Sequence, residues 1–260
     1  MLVPDGFSYL RMDGTRCLLR DDVRPWLEPG IRQLGTGDWG LGAGAAESRA
    51  PSPEPPSGEV PTLVGGRGGV SVLRCGDQRI VVRQCRRGGV PALFVRDLYF
   101  GFHPRPFAEL AQTERLRHAG VPVAEIYAAV VRWLLPGCYQ GWVISKFIDD
   151  TETLWTWAQR DPSASAKREV LRGVALAVRR LHAAGVVHPD LNLNNILVRA
   201  IAGAPQVWLL DFDRKAIAAR IGSDIERLER SVHKLDPERR HISGDDFTFL
   251  RRAYAEAPCE

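Results

Sequence analysis

The stretch that most constrains the fold is a short polar segment held between regular elements. It reads His188-Pro189-Asp190-Leu191-Asn192-Leu193-Asn194-Asn195, and two apolar runs follow, Ile196-Leu197-Val198 and Val207 to Leu210, then Asp211-Phe212-Asp213. Gly203 and Pro205 supply a turn between the runs, so they are expected to pair as a hairpin. A hairpin returns the chain to where it began, and the oxygen-bearing side chains at its two ends then flank it. Ahead of the polar segment, Lys167 to Ala184 places Val170, Leu171, Val174, Val178 and Leu181 on one helical face, with Gly185 as the stop. One side of that helix is therefore expected in a core.

The earlier half of the chain has β character. Val64, Val70, Val72 and Leu73 surround Gly65, Gly66, Gly68 and Gly69, which reads as a strand, a glycine turn and a strand. After Cys75-Gly76-Asp77, the β-branched run Arg79 to Arg83 is expected as the next antiparallel strand. A helix is expected over Arg105 to Ala119, ended by Gly120 and Pro122, and Gln140 to Ile148 is again β-type. Arg16 to Arg20 reads as a short strand, and Asp21 to Leu34 includes a short helix. Thr36 to Pro61 is dominated by Gly, Ala, Pro, Ser and Glu, which bury too little apolar surface to offset the entropy of ordering. Past the polar segment, Ala216 to Leu235 is a basic amphipathic pattern with Ile217, Ile221, Ile225, Leu228 and Val232 as its apolar members.

A strand-rich half before a helix-rich half is an α+β, two-lobed pattern. Its expected divisions are 1–35 as an extension of the first lobe, 36–61 as a flexible insert, 62–148 as an antiparallel-sheet lobe and 149–260 as a mostly helical lobe. At 45% hydrophobic over 260 residues, the chain can fill such cores. Its 35 basic and 31 acidic side chains leave +4, which suits an anionic ligand or a membrane surface and does not imply nucleic acid. The five cysteines are scattered and form no CxxC pair, so neither a disulfide framework nor a zinc site is indicated. The N-terminus, with Asp5, Arg11 and Asp13, lacks the order of a signal peptide, and no apolar run approaches the roughly 18 residues of a membrane span. A cytoplasmic location is expected, and no obligate protein partner is evident.

The polar segment and Asp211 together resemble the catalytic loop and metal motif of the kinases, whose loop reads H-R-D-x-x-x-x-N. Asp190 and Asn195 stand at that separation, and Asp211 ends the hairpin where the metal-binding aspartate belongs. The resemblance implies a protein-kinase-like fold, with Asp190 as the base that orients the attacking hydroxyl and Asn195 and Asp211 as ligands to Mg²⁺. It also implies a hinge near Ser145 to Ile148, with ATP between the lobes and its adenine on hinge backbone. Gly66, Arg67, Gly68 and Gly69 would approach phosphate through backbone N–H groups. Arg83 takes the place of the strand lysine that grips phosphates, since arginine offers a permanent charge and a bidentate fork. Helical periodicity does not choose between Glu109 and Glu114 as its partner, and the family register favours Glu109. His188 is expected to hold the loop through hydrogen bonds, and His182 to pack at the end of its helix.

Between the shared motifs the chain resembles the kinases of 3-deoxy-D-manno-octulosonic acid (Kdo) and their relatives in lipopolysaccharide core assembly. The likeness runs from about Gly65 to Leu235 and includes Arg83-Gln84-Cys85-Arg86-Arg87-Gly88-Gly89, Arg105-Pro106-Phe107 to Glu109 and Asp211-Phe212-Asp213-Arg214. It implies ATP as donor, Mg²⁺ as metal and the 4-hydroxyl of a lipid-linked Kdo as acceptor. Such an acceptor favours the basic runs Arg83 to Arg87 and Arg214 to Arg220 for docking at the inner leaflet. Pro189 replaces the arginine that would read a phosphorylated activation loop, and no Ala-Pro-Glu follows Asp211, so control of that kind is not expected. Asp213 either ligates metal or caps its turn. Two other readings remain: a kinase for another small-molecule or protein hydroxyl, similar to aminoglycoside phosphotransferases, and a catalytically silent binding module of kinase shape. The first would not require Arg-Arg-Gly-Gly or Arg83, and the second would not require Asp190, Asn195 and Asp211.

Overall fold

A computed structural model describes residues 3–12, 14–34, 62–67, 70–85, 98–188, 190–201, 204–212 and 223–257. The insert at 36–61, Gly68, Gly69, Asp213 and the two basic runs' residues 86–87 and 214–220 lie outside them. By contacts the chain divides into two units, 1–111 with 125–147, and 112–124 with 148–260. Residues 112–124 thus group with the later half, and the change after Phe147 falls inside the stretch expected as a hinge.

The first unit contains β1 (Phe7–Met12), β2 (Thr15–Arg20), α1 (Arg24–Leu34), β3 (Thr62–Arg67), β4 (Val70–Cys75), β5 (Gln78–Gln84) and β6 (Tyr99–Phe100). It continues with the first part of α2 (Arg105–His118), then β7 (Ile126–Leu135) and β8 (Cys138–Lys146). Eight antiparallel strands make one sheet in the order β1-β2-β7-β8-β5-β4-β3, with β6 joined to β8. Alternate residues of the central strands feed two cores, as the period of a strand requires. Cys17, Leu19, Ala128, Val130, Trp142 and Ile144 face α1 residues Leu27 and Ile31, whereas Leu18, Ala129, Val131 and Val143 face α2 residues Phe107 and Leu110. Being covered on both faces, β7 has no polar alternation, which is why periodicity did not reveal it.

The expected strand, glycine segment and strand are the antiparallel pair β3–β4, with one correction of extent: Gly65, Gly66 and Arg67 lie on β3 itself, paired with Val72, Ser71 and Val70, and the register shifts between Leu63 and Gly65. The glycines accommodate a strand irregularity there, because a residue without Cβ tolerates the local kink of a bulge.

The second unit contains the rest of α2, β9 (Glu152–Thr153), α3 (Leu154–Ala158), α4 (Ala164–Ala183), β10 (Ile196–Arg199), β11 (Gln206–Leu209), α5 (Ser223–Leu235) and α6 (Gly244–Glu256). Ser163 caps α4 by accepting from Ala166 N–H at 3.3 Å, and Gly185, at φ 72°, ends it with the left-handed residue that glycine adopts without strain. The expected apolar face of α4 packs on Phe247 and Leu250 of α6 and on Ile196, Val198 and Val207 of the β10–β11 hairpin. Trp157 is buried in this core, and Trp155 packs at its edge against His241. The helix expected from Ala216 is described only from Ser223.

Candidate active site

His188 is the hub of the second unit's polar centre. Fully buried between α5 and the end of the hairpin, it forms four hydrogen bonds: its N–H donates to Asp224 Oδ2 at 2.8 Å, and its carbonyl accepts from Arg227 Nη1. In the ring, Nε2 lies 2.8 Å from the Leu210 carbonyl and Nδ1 lies 3.1 Å from Asp190 N. A carbonyl only accepts and a backbone N–H only donates, so these partners together select one tautomer, neutral with the proton on Nε2. Burial holds the imidazole below its ordinary pKa of 6.5, in keeping with that neutral form.

Through this ring the two ends of the hairpin meet. Asp190 hangs from Nδ1, while Leu210, the residue before Asp211, is held at Nε2 and also donates its N–H to the Asn195 carbonyl at 2.9 Å. Asn195 closes the circuit by donating Nδ2 to the Asp190 carbonyl at 2.8 Å. Phe212 is buried and packs on His188, ring centroids 4.6 Å apart. The structure therefore ties Asp190 and Asn195 to Leu210, the residue beside Asp211. Asp190 is fixed by its backbone while its side chain is exposed, as a group that meets a substrate hydroxyl must be. Asp211 sits at φ 69°, a left-handed conformation that costs a non-glycine residue energy and is concentrated at functional sites.

The donor set suits a hard cation. Because Asn195 Nδ2 is committed to the loop, the amide presents its oxygen, and Asp211 adds a carboxylate. One neutral and one anionic oxygen fit an ion that takes its other ligands from water and phosphate. Among the described residues no cluster of three or more His, Cys, Asp or Glu side chains competes as a metal site.

In the first unit Arg83 of β5 forms an ion pair with Glu109 of α2, whose side chain is only 5% exposed. Glu114 instead pairs with Arg117 at 2.8 Å, which settles the partner of Arg83 that periodicity left open.

The profile of the "Lipopolysaccharide kinase (Kdo/WaaP) family" matches residues 59–254. The chain belongs to this family. It is 32% identical over 206 residues to the 3-deoxy-D-manno-octulosonic acid kinase of Xylella fastidiosa, covering 75% of this chain and 78% of that one. A namesake from Actinobacillus succinogenes is 32% identical over 159 residues, 59% of this chain and 65% of that one. Among solved structures, one described as "WaaP in complex with acyl carrier protein" superposes with a TM-score of 0.51 at 19% identity, covering 77% of this chain and 80% of that one. The fold is thus kinase-like, and a member of the lipopolysaccharide kinase family is a phosphotransferase with an alcohol group as acceptor.

Asp224 and Tyr254, which anchor the hub, were not singled out in the sequence, whereas His182 packs at the end of its helix as expected. Asp224, fully buried at the start of α5, also accepts from His182 Nε2 at 2.9 Å, and His182 Nδ1 lies 2.6 Å from the Tyr254 hydroxyl of α6. A signal was present: Asp224 shares the helical stripe of Leu228 and Val232, and a carboxylate on an apolar stripe demands a buried partner.

Proposed function

We propose that this kinase transfers the γ-phosphoryl group of ATP to the 4-hydroxyl of a Kdo sugar on a lipid-linked inner-core acceptor, working at the cytoplasmic face of the inner membrane as a peripheral protein. The observation that carries the reading is the His188 hub, which ties Asp190 and Asn195 to Leu210, the neighbour of Asp211, in a chain whose relatives are named as Kdo kinases. Asp190 orients the acceptor hydroxyl and takes its proton. Asn195 Oδ1 and the Asp211 carboxylate are the groups that would hold Mg²⁺, which when bound neutralises charge on the triphosphate. Arg83, kept in place by Glu109, grips phosphate oxygens, and Gly66, Arg67, Gly68 and Gly69 contribute backbone N–H groups to the same end.

The test offers ATP, Mg²⁺ and a Kdo–lipid A acceptor to the purified protein and reads the product by mass spectrometry with fragmentation. A gain of one phosphate on the Kdo ring at the 4-position is expected. Phosphate at another hydroxyl, or nucleotide binding without turnover of any acceptor, defeats the proposal.

A further inference from the structure

Four of the seven exposed large apolar side chains of the described residues stand together at one end of the sheet. Phe100 and Phe102 are 60% and 76% exposed, and Leu134 and Leu135 are 46% and 68% exposed. Their turns touch: Phe100 and Leu135 both pair with Cys138, and Gly101 N–H donates to the Gly137 carbonyl at 2.8 Å. The Phe102 ring lies 3.5 Å from where a Cβ on Gly137 would sit. Side chains this open protrude from the ends of β6 and β7 and the bend after β6, and do not line a groove. Behind them Trp133, Tyr139 and Tyr99 form a row with centroids 5.2 and 5.6 Å apart, ending on Arg16 over Trp133 and Arg105 over Tyr99.

Beside this tip the β1–β2 turn meets β7, where Trp133 N–H donates to the Gly14 carbonyl at 3.1 Å. Arg11, Met12, Gly14, Thr15, Arg16 and Trp133 line a hollow of about 340 Å³ there. Among the described residues neither Arg11 nor Arg16 has a carboxylate partner. Two guanidinium groups at one hollow supply donors and positive charge, the requirement of a tetrahedral oxyanion.

We propose that this end of the sheet docks on an anionic phospholipid bilayer, its apolar turns entering the acyl boundary and the Arg11–Arg16 hollow taking a lipid phosphate. Protruding aliphatic and aromatic tips, a belt of rings and arginines without a carboxylate partner are the combination that an interface of headgroups and hydrocarbon recognises. No carboxylate occurs among residues 98–105 or 130–140, and Asp13 is the one carboxylate of the sequence between Arg11 and Arg16. The inference deepens the peripheral placement proposed above and rests on it for the choice of occupant. It also moves the docking role to residues that sequence charge runs did not mark.

Co-sedimentation with vesicles, without nucleotide or sugar acceptor, tests it. The protein should bind phosphatidylcholine vesicles containing phosphatidylglycerol and bind phosphatidylcholine alone much less. An Arg11→Gln/Arg16→Gln variant should lose about 30-fold in affinity for the anionic vesicles. Phe102→Ser/Leu135→Ser should lose about tenfold or more, while Ile201→Ser, exposed elsewhere, keeps wild-type binding. Circular dichroism verifies that each variant is folded, and transfer to a detergent-dispersed acceptor reads the kinase assignment separately, so that either can fail alone. Binding unaltered by these changes overturns the proposal. So does inorganic phosphate or an acidic acyl carrier protein captured through these residues by a protein that ignores vesicles.

Discussion

Replacing Asp224 should dismantle the catalytic loop from beneath without touching a group that meets substrate. The carboxylate is fully buried, and its Oδ2 accepts from His188 N–H at 2.8 Å and from His182 Nε2 at 2.9 Å. In Asp224→Ala both donors stay buried and lose their acceptor, at about 1–3 kcal/mol each, so about 2–6 kcal/mol of stability should go. Asp224→Asn keeps the shape and an acceptor oxygen but loses the charge that faces Arg227, 3.6 Å away, and should fall at the lower end of that range. Urea unfolding measures the loss. Because the same two bonds set the height of His188, and His188 sets Asp190 and Leu210, the asparagine variant should also lose kcat with little change in KM for ATP. An Asp224→Asn protein that unfolds like the wild type and turns over normally would refute the idea that this carboxylate supports the loop.

Three further outcomes follow from the geometry. Burial lowers the pKa of His188, so the unfolded chain takes up the proton first as pH falls; stability from the neutral ring is complete above its ordinary 6.5 and declines below it. Unfolding followed from neutral pH to about pH 5 should show a steeper decline for the wild type than for His188→Gln, and equal slopes would contradict the assignment. Glu109→Gln should raise KM for ATP and cost about 1–3 kcal/mol, since it removes the charge that the buried carboxylate sets against Arg83; wild-type values for both would detach the pair from the site. At Gly141 an added Cβ would collide with Pro106 Cγ and come within 3.1 Å of its Cδ, so Gly141→Ala should lower stability by about 1–3 kcal/mol through displacement of the first turn of α2, readable as a fall in Tm.

The second unit was legible because its chemistry is local. Asp190, Asn195 and Asp211 are separated by one hairpin, and α4 has a clean apolar face ended by glycine. The first unit hid more. The strand β7 is buried on both faces and carries no alternation, and β1 joins the sheet only through pairing with β2, a partner that periodicity alone does not name. The glycines of β3 looked like a turn because glycine serves turns and strand irregularities alike. Arg83 could be found from its place in the family pattern, but its partnership with Glu109 over Glu114 depends on how α2 lies against β5, which is tertiary information. Likewise Asp224 and Tyr254 enter the hub from helices far along the chain from His188.

Single-turnover transfer by Asp190→Asn tests the central claim most directly. With the loop held by His188 and the amide replacing only the proton acceptor, the chemical step should slow by about 10²–10⁴-fold while nucleotide affinity and unfolding midpoint stay near wild type. Transfer at the wild-type rate would mean that Asp190 is not the base and that the network around His188 serves another purpose.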